Sequence, residues 1–139
     1  MKYVLDSSVA FKWVVPEADS PIAVRVRDAF RTAIHDLVAP DVFAIELAHA
    51  LTRAERQGRI PVSETVVLLT EVMQSGPFLY PALPLLLEAC DLSSRTGVGV
   101  YDCLYVTLAA HQGCELLTAD DRLVKSLPGH PIVPLSSLP

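Results

Sequence analysis

Lys2–Val15 reads KYVLDSSVAFKWVV, an apolar segment interrupted by one acid and two serines. Its first residues, Lys2 to Asp6, carry the β-branched and aromatic side chains of a short strand. Ser8 to Val15 is apolar enough for a short helix, which Pro16 stops. Between them stands Asp6, a carboxylate placed where a core is being built. A strand that runs straight into a helix is the opening of an α/β unit.

Working outward, the same alternation repeats. Ser20-Pro21 opens a second helix, with serine as cap and proline at the first helical position, running to about Asp36. LVAP (37–40) is a short buried strand. Asp41 caps a long helix over 42–57, closed by Gly58. Ser63 caps another, ETVVLLTEVMQS, closed by Gly76. FLYP (78–81) is a brief strand. LPLLLEACDLSSRT is helical and ends at Gly97. Tyr101 to Gln112 is a helix that is apolar nearly all round, ended by Gly113. CELLT is a buried strand, DRLVKSL a short helix and PIVPL a last strand. Five strands separated by helices predict an α/β fold with a mostly parallel sheet covered on both faces. Ligands in such folds bind beyond the carboxyl ends of the strands, where strand order reverses.

Composition bounds the rest. At 139 residues, one domain is the expectation, with 51% hydrophobic and 19% charged residues in the balance of a compact globular protein. A net charge of −5 argues against a protein that merely coats nucleic acid, yet leaves room for an enzyme acting on it. The apolar runs are too short for a membrane span and the N-terminal one is too short for a signal peptide, so a soluble cytoplasmic protein is expected. Cys90, Cys103 and Cys114 are odd in number and lack a Cys-x-x-Cys pair; they read as buried reduced thiols. His35, His49, His111 and His130 show no ligand spacing.

The chemistry lies in the carboxylates. Asp6 follows the first strand, and Asp120 and Asp121 follow CELLT. Glu46 sits between Ile45 and Leu47 in a largely apolar helix, and Asp102 lies near the start of a helix with no other charge. Each has an ordinary explanation: Asp6, Asp102, Asp120 or Asp121 as helix caps, Glu46 paired with His49 or Arg53. Together they point to one end of one sheet. Two carboxylates about 5 Å apart repel by roughly 3 kcal/mol at an effective dielectric of about 20. Protons or a cation must therefore sit among them. An all-oxygen site without His or Cys suits Mg²⁺ or Mn²⁺, one ion or two.

VLDSSV, the Glu in AIELAHAL, the YDCLYVTLA block and LLTADDRL resemble, in order and spacing, the four signatures of the PIN-domain nucleases, over Lys2 to about Leu135. In size the chain is similar to the VapC-type toxin ribonucleases of toxin–antitoxin pairs. The resemblance implies a single PIN domain over residues 1–139, a three-layer α/β/α sandwich around a five-stranded parallel sheet. It implies Mg²⁺ or Mn²⁺ held by Asp6, Asp102 and Asp120, with Glu46 as a further ligand or as orienter of the attacking water. Ser8 and Thr118 take the family's small-hydroxyl positions, expected to hydrogen-bond a carboxylate or water. Asp120 is the functional acid of TADD, and Asp121 caps the following helix or serves as an outer acceptor. The implied substrate is RNA: transfer, ribosomal or messenger. The implied partners are a small antitoxin, which pushes a basic side chain at the acids, and a second copy in a homodimer. Lys12, Arg53, Arg56, Arg59, Arg95, Arg122 and Lys125 are the pool for substrate contacts.

A housekeeping RNA-processing PIN nuclease is the same-class alternative. A receiver domain would need an acid pair at the first strand and an acceptor Asp after FLYP; neither is present. An Asp-nucleophile phosphatase needs Asp-x-Asp where this chain has DSS. A non-catalytic RNA-binding domain fits poorly with intact acids and negative charge.

Overall fold

The computed structural model describes residues 1–139. Strands β1 (Lys2–Leu5), β2 (Asp36–Pro40), β3 (Phe78–Tyr80), β4 (Glu115–Thr118) and β5 (Ile132–Pro134) alternate with helices α1 (Ser7–Val14), α2 (Ser20–Arg31), α3 (Val42–Arg56), α4 (Thr65–Gln74), α5 (Leu86–Thr96), α6 (Val100–Gln112) and α7 (Asp121–Ser126). All pairings are parallel, in the order β3-β2-β1-β4-β5. The chain builds one half outward from β1 through β2 to β3. It then returns to the other side of β1 for β4 and β5. The order therefore reverses between β1 and β4, which is the switch point where an α/β sheet opens a crevice.

The central strands are buried on both faces, as a parallel sheet requires. Val4, Leu5, Leu116 and Leu117 have no exposed surface and belong to one continuous cluster of 33 buried residues. α1 to α4 pack on one another as one layer, while α6 lies across β1, β2 and β4 with α5 behind it, giving the expected sandwich. Seven consecutive residues of α6, Cys103 to Ala109, are buried, which explains a helix apolar nearly all round. No helix is long and apolar enough to cross a membrane.

Several boundaries differ from the sequence reading, each for a local reason. α2 ends at Arg31 and not near Asp36: Ala33 takes φ 60°, and Asp36 is drawn into the sheet opposite Lys2. Its cap position is Asp19, with Ser20 already helical and its hydroxyl accepting from the Glu17 amide. Ser63 does not cap α4; it sits at φ 69°, and Glu55 Oε1 takes the Thr65 amide and hydroxyl instead. Asp41 stands at the cap of α3, but its carboxylate accepts from the Ala82 amide at 3.1 Å, tying α3 to the loop after β3. The LPLLLEACDLSSRT segment begins with a 3-10 turn, Leu83–Leu85, before α5. All three cysteines are free, but only Cys103 is buried; Cys90 is exposed because it faces outward on α5.

Candidate active site

Asp6 is placed by the sheet. Its amide bonds the Leu117 carbonyl at 3.0 Å, carrying the β1–β4 ladder one residue past β1. The side chain is therefore delivered to the switch point, only 7% exposed. It stands at the N-cap of α1 yet makes no side-chain cap bond. Both hydroxyls expected here do serve it: Ser8 Oγ and Thr118 Oγ1 each donate to Asp6 Oδ2 at 2.7 Å. The same two oxygens accept backbone amides, Ser8 from Ala119 at 3.1 Å and Thr118 from Asp120 at 3.0 Å. The turn after β4 is thus locked to the end of β1. Burial pushes the Asp6 carboxyl above the usual carboxylate range, against the pull of the Ser8 and Thr118 hydroxyls, and the Asp120 charge adds to the push.

Asp120 is itself the cap of α7. Its Oδ1 accepts from the Arg122 amide at 3.0 Å, and Asp121 is the first helical residue. This reverses the expected division of labour, in which Asp121 was the cap. The reason is the extended backbone at Asp120, which aims its carboxylate back over the helix start. One oxygen caps the helix, and the group still lines the cleft.

Glu46 comes from the middle of α3 and Asp102 from the first turn of α6. Neither finds a cation. The pairing of Glu46 with His49 or Arg53 does not form. Burial pushes Glu46 up to about 7, with the charges of Asp6 and Asp102 adding to it. The Tyr105 hydroxyl lies close enough to oppose that push. It does not complete a hydrogen bond, however, because Glu46 Oε1 and the Tyr105 hydroxyl are both buried without a partner. Burial likewise pushes Asp102 up to about 6, helped by Asp6 and Asp120. Tyr105 belongs to this group although the sequence reading did not single it out. The signal was available: it lies three residues after Asp102, on the same side of the helix.

Asp6, Glu46, Asp102 and Asp120 line one cleft of about 630 Å³. Asp121 is exposed and is not among its lining residues. One wall is a face of α3 at helical spacing, Glu46, His49, Ala50, Arg53 and Gln57. A second, polar cleft of about 510 Å³ shares Asp102 and Asp120 and runs over Gly97 to Gly99 and Arg122. As the side chains stand, no three His, Cys, Asp or Glu groups are close enough to hold one metal ion in common. The donor set nonetheless fits a hard divalent cation. It is all oxygen, Asp6, Glu46 and Asp102 are each raised by burial with a neighbouring carboxylate charge adding to it, and Glu46 carries an orphaned buried oxygen.

The PIN domain family matches residues 3–126. Ribonuclease VapC3 of Mycobacterium tuberculosis is 37% identical over 125 residues, 90% of this chain and 87% of its own length. Ribonuclease VapC3 of Pyrobaculum aerophilum is 33% identical over 130 residues, 92% and 96% of the two lengths. The crystal structure of PAE2754 from Pyrobaculum aerophilum superimposes with a TM-score of 0.69 at 22% identity, covering 96% of this chain and 92% of that one; it speaks for the fold. With the family matching most of the chain and two relatives at 37% and 33% identity over nine-tenths of it, this chain belongs to that family: it is a PIN-domain protein.

Proposed function

We propose that the chain is one PIN domain over residues 1–139 and a metal-dependent endoribonuclease, the toxin of a toxin–antitoxin pair. The observation that carries the reading is the convergence of Asp6, Glu46, Asp102 and Asp120 on one cleft, where the only cation of the protein's own against one of these acids is the exposed Arg122, 3.9 Å from Asp120. The similarity to ribonucleases named VapC3 over most of the chain supports the substrate and the role.

Asp6, Asp102 and Asp120 are the groups to hold Mg²⁺ or Mn²⁺, one ion or two. Glu46 is a further ligand or the orienter of water. When bound, such an ion supplies an acidified water and charge stabilisation for an in-line displacement at phosphorus. Glu46, which burial raises while no ion is present, would turn its carboxylate to such an ion or to the water beside it. Ser8 and Thr118 keep Asp6 in one rotamer, so its orientation is set before substrate arrives. The substrate is RNA, whether transfer, ribosomal or messenger.

A small antitoxin and a second copy of the chain are the expected partners, and the cytoplasm the expected location. Ile45, Val66 and Val67 on α3 and α4 are 71%, 72% and 56% exposed, an apolar face available to a protein partner. Three free cysteines suit a reducing compartment. The test is to incubate purified protein with total RNA in Mn²⁺ and in chelator and to map new RNA ends. Metal-dependent ends that Asp6→Asn abolishes are expected, and their absence sinks the reading. Co-purification with the product of the adjacent gene tests the toxin role.

A further inference from the structure

Beside the acids the cleft holds an aromatic ring and a guanidinium that the proposed hydrolysis does not use. Phe11 is half-buried in the cleft wall, one turn along α1 from Ser7 and on the same side as Ser8. The Arg59 guanidinium carbon lies over the Phe11 ring, 5.6 Å from its centre. Glu17 bridges two cations, with Oε1 taking Lys12 at 3.0 Å and Oε2 taking Arg59 at 3.0 Å. Lys12 is further fixed by Asp19 at 2.6 Å. All but Asp19 line the same cleft as Asp6 and Glu46.

The way Arg59 arrives is informative. α3 ends in a paired turn: Gly58, at φ 73°, gives its amide to the Glu55 carbonyl at 3.0 Å, and the Arg59 amide bonds the Ala54 carbonyl at 2.9 Å. In such a turn the residue after the glycine is ordinarily apolar and packs on the helix it closes. Here that place holds an arginine, 41% exposed, swung over an aromatic ring. A contact that merely closed α3 would have been better made by Leu or Ile. Departures from a local rule of this kind mark functional places. A planar cation held by a carboxylate, an aromatic ring beside it and a neighbouring cleft are the parts that grip a nucleobase.

We propose that Phe11 and Arg59 form a nucleobase subsite that stacks the base of a nucleotide flanking the bond at the acids, with Glu17 holding Arg59 in register. The proposal rests on the ribonuclease reading for its substrate. It adds where and by what the strand is gripped. Lys12 stays with Glu17 and Asp19, so the grip is on the base and not a second phosphate site. Every base offers a π-face, so the subsite sets the position of the strand more than its sequence.

The test uses the intact, metal-free protein and short probes. The four ribonucleoside 5′-monophosphates and ribose 5-phosphate are titrated while the Phe11 ring protons and the Arg59 Nε proton are followed by NMR. Nucleotides are expected to move both sets of signals, and ribose 5-phosphate neither. Phe11→Leu, which keeps the bulk and removes the π-face, is expected to weaken nucleotide binding about 5- to 150-fold, and Phe11→Trp to restore it. Equal shifts from ribose 5-phosphate, no shift from the nucleotides, or a Phe11→Leu variant that binds like the parent would each overturn the subsite. RNA cleavage in Mn²⁺ is assayed alongside. Cleavage without nucleotide shifts at Phe11 removes the subsite and leaves the nuclease. Nucleotide shifts without cleavage do the reverse.

Discussion

Two halves of the acidic cleft are built on opposite principles. The half at the β1–β4 switch point is satisfied: Asp6 has two hydroxyl donors, and those hydroxyls bind the amides of Ala119 and Asp120. The half on α3 and α6 is not. Glu46 and Asp102 have no cation, Glu46 Oε1 and the Tyr105 hydroxyl have no partner, and burial raises all three groups. The switch-point half is held by the fold, and the helical half is left for something to bind. A buried carboxylate without a donor is tolerated only if protonated or if an ion arrives.

The largest effect is expected from Asp6→Asn. The amide oxygen can still accept from Ser8 and Thr118, so the metal-free fold should be as stable as before or slightly more so. RNA cleavage in Mn²⁺ should fall by about 100-fold or more, since a ligating charge is gone. A variant that cuts RNA at the parental rate removes Asp6 from the site.

A smaller effect is expected from the hydroxyl that holds Asp6. Thr118 has no exposed surface, and Thr118→Val keeps its shape while taking away one donor. Chemical denaturation should show a loss of about 1–3 kcal/mol. The matching change on the other half, Glu46→Gln, should move stability the opposite way at pH 8 in the absence of metal. If both variants shift stability in the same direction, the two halves are not different in kind.

Proton linkage gives a third measure. Glu46 and Asp102 are raised in the fold to about 7 and about 6, above their unfolded values. Between roughly pH 4 and 7 the folded state therefore binds more protons than the unfolded one. Stability of the metal-free protein should then fall as pH rises through this window, by on the order of 2 kcal/mol once solvent screening is allowed for. Mn²⁺ should flatten the fall, because an ion favours the charged forms. A metal-free protein as stable at pH 8 as at pH 5 would contradict the unsatisfied half. The smallest effect belongs to Tyr105→Phe. Its hydroxyl is unpartnered, so thermal unfolding should move by a degree or two at most, and a drop of many degrees would mean that the hydroxyl is bonded after all.

Much of this was legible in the sequence. The five strands, their order along the chain and the four acids follow from hydrophobic runs, turn residues and carboxylates in apolar company. What local pattern could not supply was anything set by distant pairing. RDAFRTAIHD reads as continuous helix, but Asp36 is claimed by its place opposite Lys2. Asp120 and Asp121 are adjacent and equally good caps on paper, and only the extended backbone at Asp120 decides between them. The wall of Phe11, Glu17 and Arg59 joins residues up to 48 apart in sequence through the turn at Gly58, and no spacing rule announces it.

The bond from Thr118 to Asp6 spans 112 residues. It is the consequence of a sheet whose first strand lies at its centre and whose second half is the last to be made. Such long-range closure comes late in folding and late in synthesis. A chain released before β4 has neither the hydroxyl that orients Asp6 nor the Asp120 that faces it. The fold thus times its own chemistry: the ribosome must carry the chain past Asp120 before the acids can stand together.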